Sequence, residues 1–346
     1  MTKTVYNVGD IITIGEPPLP KTIDEIEVSF ETPDGAMVYG VLCQPNDRPI
    51  TQKALMLHEI EGHTEGGAVT TISRRYARLG IASLRIDFSG HGKRKDEWER
   101  YSPQSMLLDA KESLDWLDKK FPDIQQTMLT GFSTGGGIAV LLRGLDKRVS
   151  KSCLLYPVLS FKQNFLAAVY DNEELFDDIE KWDKETLWRA MEFTKEKIND
   201  SLNNDKPFSL TAHTYGAGFI KGCVKAIDEG DISRALFSKQ TSPVTVIQGT
   251  MDICVPHSVA HILQMIAKEK NVPMRLVTMR GMDHWVPPVW KRHVWEEFRK
   301  VAIGKPEDFF DPSHRIIKLR PKEKGFVDLM TLIQEHKDQG LVQQIG

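Results

Sequence analysis

No two cysteines in the chain stand at the Cys-x-x-Cys spacing of a redox or zinc motif. The four present, Cys43, Cys153, Cys223 and Cys254, are scattered, which reads as free, mostly buried thiols in a reducing cytoplasm. No uncharged run approaches the roughly 18 residues of a membrane-spanning helix, so no membrane span is expected. Residues 1–20 alternate polar and apolar positions, include Asp10 and Glu16, and lack the long apolar core of a signal peptide. There is no excess of basic charge either. The net charge is -3, which excludes the positive field expected of a nucleic-acid partner or an anionic membrane surface. Internal repeats and low-complexity tracts are absent. What remains is 40% hydrophobic and 27% charged, the ordinary balance of a soluble protein. At about 150 residues per domain, 346 residues make one large domain with an insertion, or two domains.

The stretch with most structure in it is Met128 to Gly137, which reads as strand, hard turn and helix with Ser133 at the apex. Small residues flank the serine, as Gly131-Phe132-Ser133-Thr134-Gly135, and an apolar helical run follows through Ile138, Val140, Leu141 and Leu142. The pattern Gly-x-Ser-x-Gly is that of a nucleophile elbow, in which a strained turn lifts the hydroxyl clear of a sheet. Alone it also fits a plain tight strand–helix turn.

Around it the chain alternates strands and helices. Ile26, Val28 and Phe30, then Val38, Gly40 and Leu42, flank the turn Thr32-Pro33-Asp34-Gly35, an antiparallel hairpin. Near-continuous apolar runs at Lys53–His58, Ile81–Ile86, Thr127–Gly131, Ser150–Tyr156, Pro243–Gln248 and Met274–Met279 alternate with helical spacings such as Leu107, Ala110, Leu114 and Leu117. That is the signature of an α/β protein, a mostly parallel central sheet with helices on both faces. Between Phe161 and Gln240 the pattern breaks. No convincing strand is visible, helix formers and aromatics recur, and the segment is expected to be a helical lid whose aromatics mainly form its own core. The expected organisation is a core of residues 1–160 and 241–304, a lid over 161–240 and a C-terminal extension over 305–346.

Ligands of such sheets lie at the carboxyl ends of the strands. Ser133, Asp252 and His284 each fall just past one, in the order Ser…Asp…His. A serine hydroxyl needs a base to take its proton, and the base needs an acid to fix its tautomer. Asp252 could instead cap a helix, His284 could be a surface histidine, and Asp283 is a rival acid, although a residue adjacent to the histidine generally points away from it. An oxyanion would be met by the backbone N–H of Thr134 and, from the loop after His58, by that of Ile60. His58, Glu59, Glu61 and His63 form an alternative metal site, but a loop lacks the helical spacing such sites usually show. Neither metal nor cofactor is expected. Asp87 and His91 read as residues that shape their loop.

Five motifs in this order resemble the α/β-hydrolase superfamily over roughly residues 26–301: Leu57-His58-Glu59-Ile60-Glu61-Gly62, Arg85-Ile86-Asp87-Phe88-Ser89-Gly90-His91-Gly92, the elbow, Pro243 to Asp252, and Gly281-Met282-Asp283-His284. The resemblance implies Ser133 as nucleophile, Asp252 as acid and His284 as base. It is nearest to serine esterases of the cinnamoyl- or feruloyl-esterase kind and to acyl-peptidases. Most such esterases carry His-Gly where this chain has His58-Glu59. The His-Glu form is similar to dienelactone hydrolases, whose glutamate helps to gate a cysteine nucleophile; here the nucleophile position is Ser133, which departs from that pattern, and Glu59 is carried as a candidate substrate-binding residue. The implied activity is hydrolysis of a small-molecule carboxylic ester or thioester through an acyl-enzyme. Acyl transfer, peptide or C–C bond cleavage, or a binding protein that has lost turnover remain as alternatives, and self-association is left open.

Overall fold

Six parallel strands bury nearly every side chain, which is why they read as unbroken apolar runs rather than alternating ones. In the computed structural model these are β3 (Gln52–Leu57), β4 (Ile81–Asp87), β5 (Thr127–Phe132), β6 (Val149–Leu155), β9 (Val244–Gly249) and β10 (Met274–Arg280). The structure describes residues 21–60, 62–97, 100–159, 242–252, 254–286, 288–305 and 315–318, with short pieces at 196, 199–200, 203–204, 208–209 and 214–215. β1 (Ile23–Glu31) and β2 (Met37–Pro45) form the expected antiparallel hairpin at one side. Its turn is closed by the Thr32 hydroxyl, which donates to Asp34 Oδ1 at 2.5 Å. With a further strand β11 (Arg315–Lys318), the strand order is β1-β2-β4-β3-β5-β6-β9-β10-β11, with β2 antiparallel to β4 and every later pairing parallel.

The reversal of strand order around β3 sets the helices on both faces, because parallel crossovers are right-handed. The crossover from β3 to β4 runs through α1 (Gly67–Arg78) in one direction across the sheet, and those through α2 (Pro103–Lys120) and α3 (Ser133–Leu145) run in the other. α4 (His257–Lys270) joins β9 to β10, and α5 (Pro288–Ile303) follows β10. α5 shares a face with α1. Trp295 lies 6.2 Å from the Tyr76 ring, and Arg75 is stacked 5.0 Å over it. One apolar core of strand and helix residues runs through both layers, with Leu55, Leu84, Leu129, Leu154, Val246 and Leu276 fully buried at its centre.

Two elements depart from expectation. β11 (Arg315–Lys318) pairs parallel with β10, from Val277↔Arg315 to Arg280↔Lys318. Among the described residues the sheet therefore has nine strands, and it takes in part of the stretch that was expected to lie outside the core. The clasp is electrostatic. Glu297 of α5 is 1% exposed and meets Lys300 Nζ at 2.7 Å, Arg275 at 3.0 Å and Arg315 Nη1 at 3.1 Å. The second departure is β7 (Phe208–Ser209) with β8 (Thr214–Tyr215), a two-stranded antiparallel ribbon in a stretch expected to be free of strands. Two-residue strands leave no alternation to detect. The remainder of the expected lid lies outside the described residues, as do residues 1–20 and residues 319–346 of the expected extension.

Candidate active site

The turn out of β5 places Ser133 as the first residue of α3 with a φ of 48°. A non-glycine residue pays for this left-handed conformation in strain, and such strain persists where the surroundings fix it. Here they do. A Cβ added at Gly131 would come within 2.7 Å of Gly135 O and of Gly136 Cα, and one at Gly135 would lie 2.3 Å from Leu57 O and 2.4 Å from His58 O. Both positions therefore have to be glycine, and the second presses the elbow against the end of β3. Ser133 is 4% exposed.

Asp252 follows β9 and is fully buried, and its carboxylate collects donors from every side. Oδ1 accepts the N–H of Val255 at 2.7 Å and of Cys254 at 3.0 Å, and Oδ2 accepts Gln248 Nε2 at 3.2 Å. His284 Nδ1 lies 2.8 Å from Oδ2 and 3.0 Å from Oδ1. An ionised carboxylate only accepts, so Nδ1 carries the proton and Nε2 keeps its lone pair. The two loops are tied together by the Met251 N–H donating to Met282 O at 3.0 Å and the Gly281 N–H donating to Thr250 Oγ1 at 2.8 Å. Asp252 is not a helix cap, since α4 begins at His257 behind Pro256. No hydrogen bond joins Ser133 to His284 among the described residues; catalytic bonds of this type often tighten only with substrate in place.

Asp283, the rival acid, turns to its own backbone. Oδ1 accepts the Trp285 N–H at 3.0 Å. Burial, with the Asp252 charge adding to it, pushes its carboxyl up to about 6. The folded value lies above the unfolded one near 3.8, so the native state binds this proton more tightly. Its contribution to stability is complete below about pH 4 and is lost as pH rises through about 6. Asp283→Asn keeps the acceptor without the charge. It is expected to raise the melting temperature by about 2–5 °C at pH 8, the gain shrinking toward zero at pH 4, as read by thermal unfolding across that range.

The loop after β3 lies beside the elbow. His58 uses both ring nitrogens, with Nδ1 2.6 Å from Glu59 O and Nε2 accepting the Phe88 N–H at 3.1 Å. Nδ1 must then be the donor, which fixes a neutral ring, and burial together with His91 holds its pKa well below the usual histidine range. Such a ring props the loop and has no lone pair left for a metal. Glu59 Oε2 is buried with no hydrogen-bond partner among the described residues, and burial raises its pKa. Neither the Ile60 N–H nor the Thr134 N–H has a partner among the described residues, the latter being one of the amides that a helix's first turn leaves over. Asp87 shapes its loop as expected, accepting the N–H of Thr64 at 2.6 Å and of Lys93 at 2.9 Å. His91 Nδ1 meets Ser89 O at 2.9 Å.

One residue escaped the sequence reading. Tyr156, just past β6 with a φ of 42°, places its ring 4.1 Å from that of His284. Its N–H donates to Ile247 O at 2.8 Å, and two residues on the Val158 N–H donates to Ser133 O at 3.0 Å. The segment thus touches both the elbow and the imidazole. The signal was available, since Tyr156 ends a strand adjacent to β5 and falls under the same strand-end rule. Val286, with a φ of 50°, adds a further strained position two residues past His284.

Comparison with solved structures shows the fold that carries these residues. A ferulate-bound Est1E from Butyrivibrio proteoclasticus matches with a TM-score of 0.57 at 18% identity, covering 80% of this chain and all 100% of that one. An esterase of Pyrococcus furiosus matches at 0.56 and 15%, covering 87% and 94%. The chain has the α/β-hydrolase fold. An acylaminoacyl peptidase of Pyrococcus horikoshii, at 0.57 and 11%, spreads this hydrolase fold over 90% of the chain but only 45% of its own. No protein-family model matches the chain. An uncharacterized protein of Rickettsia prowazekii is 31% identical over 121 residues, 34% of this chain; the match spans about half, 48%, of that relative's length. Within the hydrolase fold, Ser133, Asp252 and His284 stand past β5, β9 and β10 on one sheet edge. No helix among the described residues is long and apolar enough to cross a membrane.

Proposed function

We propose that the chain is a serine hydrolase that cleaves a small carboxylic ester or thioester through an acyl-enzyme. The observation that carries this is the Asp252–His284 pair at 2.8 Å, on strand ends at the same edge of the sheet as a serine held at a φ of 48°. Ser133 Oγ attacks the carbonyl carbon while its proton passes to His284 Nε2. Asp252 keeps the other ring proton on Nδ1 and stabilises the imidazolium. The N–H groups of Thr134 and Ile60 receive the oxyanion, each such donor being worth about 3 kcal/mol. His284 then returns its proton to the leaving group, and water, activated by the same nitrogen, releases the acid. Glu59, with a buried unbonded oxygen beside this centre, contacts the substrate. No metal or cofactor enters.

The test is a fluorophosphonate probe followed by a chromogenic panel of esters of increasing acyl length, with aromatic esters, thioesters and a blocked peptide. Labelling at Ser133 with turnover of at least one ester or thioester is expected. No labelling and no turnover would leave a binding protein on this scaffold, and turnover of the peptide alone would move the reading to a peptidase.

A further inference from the structure

Cys254 has no part in the chemistry above, yet it stands next to the acid–base pair. It follows Asp252 by two residues, its N–H donates to Asp252 Oδ1 at 3.0 Å, and it is partly exposed. A carboxylate oxygen of Asp252, Cys254 Sγ and a ring nitrogen of His284 all lie within 4.8 Å of one another, the one such trio among the described residues.

We propose that Asp252, Cys254 and His284 bind a thiophilic divalent cation, Zn2+ being the type, and that its binding switches the hydrolase off. One thiolate, one imidazole and one carboxylate make a mixed sulfur, nitrogen and oxygen set. It suits Zn2+ and not the oxygen-seeking Mg2+ or Ca2+. Zinc bonds of about 2.0–2.3 Å in a tetrahedron put donor atoms about 3.3–3.6 Å apart, so the trio needs to close by about 1 Å at its widest. The fourth position is left to water. His284 is the part that can adjust, since its side chain is 12% exposed while that of Asp252 is fully buried.

The inhibition follows from proton counting, whichever ring nitrogen binds. Coordination takes the thiolate of Cys254, releasing its proton to solvent, and one lone pair of a neutral imidazole. If the metal holds Nδ1, the ring proton must sit on Nε2, which then cannot accept the proton of Ser133. If the metal holds Nε2, that lone pair is already used. Either way the base is lost, and removing the cation restores it. The inhibitory half of the proposal rests on the serine-hydrolase reading, while the binding half does not.

The experiment uses the full chain and two readouts. Titration with Co2+ is expected to give a thiolate-to-cobalt absorption band in the near ultraviolet, displaced by Zn2+ and missing in Cys254→Ser. Zn2+ is expected to slow ester turnover, with recovery on EDTA. In Cys254→Ser, measured against its own zinc-free rate, the half-inhibiting concentration should rise at least about 10-fold. A Co2+ complex without the thiolate band, or band and inhibition that persist unchanged in Cys254→Ser, would overturn the site. A Cys254-dependent band in a chain that hydrolyses nothing would uphold the site and remove the hydrolase reading instead.

Discussion

Replacing Ser133 with alanine is expected to lower ester turnover by about 10⁴- to 10⁶-fold while leaving the fold intact. The hydroxyl makes no hydrogen bond among the described residues, so its removal strands no partner. Alanine keeps the Cβ, and so the same φ of 48° is imposed on it as on serine. Strain is therefore conserved between the two proteins, and the melting temperature should stay within about 2 °C. Only the nucleophile is lost. The residual rate is what oriented binding and an oxyanion site supply to attack by water. Steady-state rates on the best ester of the panel, with circular dichroism as the control, read this directly. A variant retaining a tenth of the activity would mean that another group makes the acyl bond.

Asp252→Asn is expected to cost about 10⁴-fold in kcat, and Asp283→Asn less than about 10-fold. The carboxylate of Asp252 receives the imidazole, two backbone N–H groups and the Gln248 amide at once. An asparagine offers one oxygen where two are in use, and its amide donates toward Nδ1. That drives the ring proton onto Nε2, where it blocks uptake of the Ser133 proton. Asp283 makes no such bond with the imidazole. Its oxygen serves the Trp285 N–H, a task asparagine performs equally well. The two substitutions change the same chemistry at neighbouring loops and differ only in which faces Nδ1. Equal losses in kcat would mean that the acid has been assigned to the wrong residue.

The parts of the fold legible in the sequence are those where burial is uniform. Each of β3, β4, β5 and β9 is an almost unbroken apolar run because helices cover both faces, and their bounds agree with the sequence reading to within a residue or two. β11 was not legible. Its four residues, Arg-Ile-Ile-Lys, have charged ends and partly exposed centres, and it is held by backbone pairing and by Glu297, a residue of another element. At the candidate site, strand-end position and chain order brought out Ser133, Asp252 and His284, and Asp252 was preferred to Asp283 because a residue next to the histidine generally points away from it. That choice depends on side-chain direction, which the hydrogen bonds of Asp252 display. Tyr156 ends an apolar run and so met the strand-end rule, but the turn of its ring toward His284 comes from a left-handed φ at that position, which the run itself does not announce.

The ninth strand also bears on where this chain can be cut. β10 is paired with β9 on one side and with β11 on the other. A protein ending at Gly304 would still contain all the residues proposed for catalysis, but the outer edge of β10 from Val277 to Arg280 would have its ladder groups open. Glu297, 1% exposed, would lose Arg315. Open ladders recruit strands from other molecules, and the shortened protein would present the edge of β10 where the intact one presents the charged ends of β11. A boundary that keeps the pairing of β10 with β11 falls after Lys318.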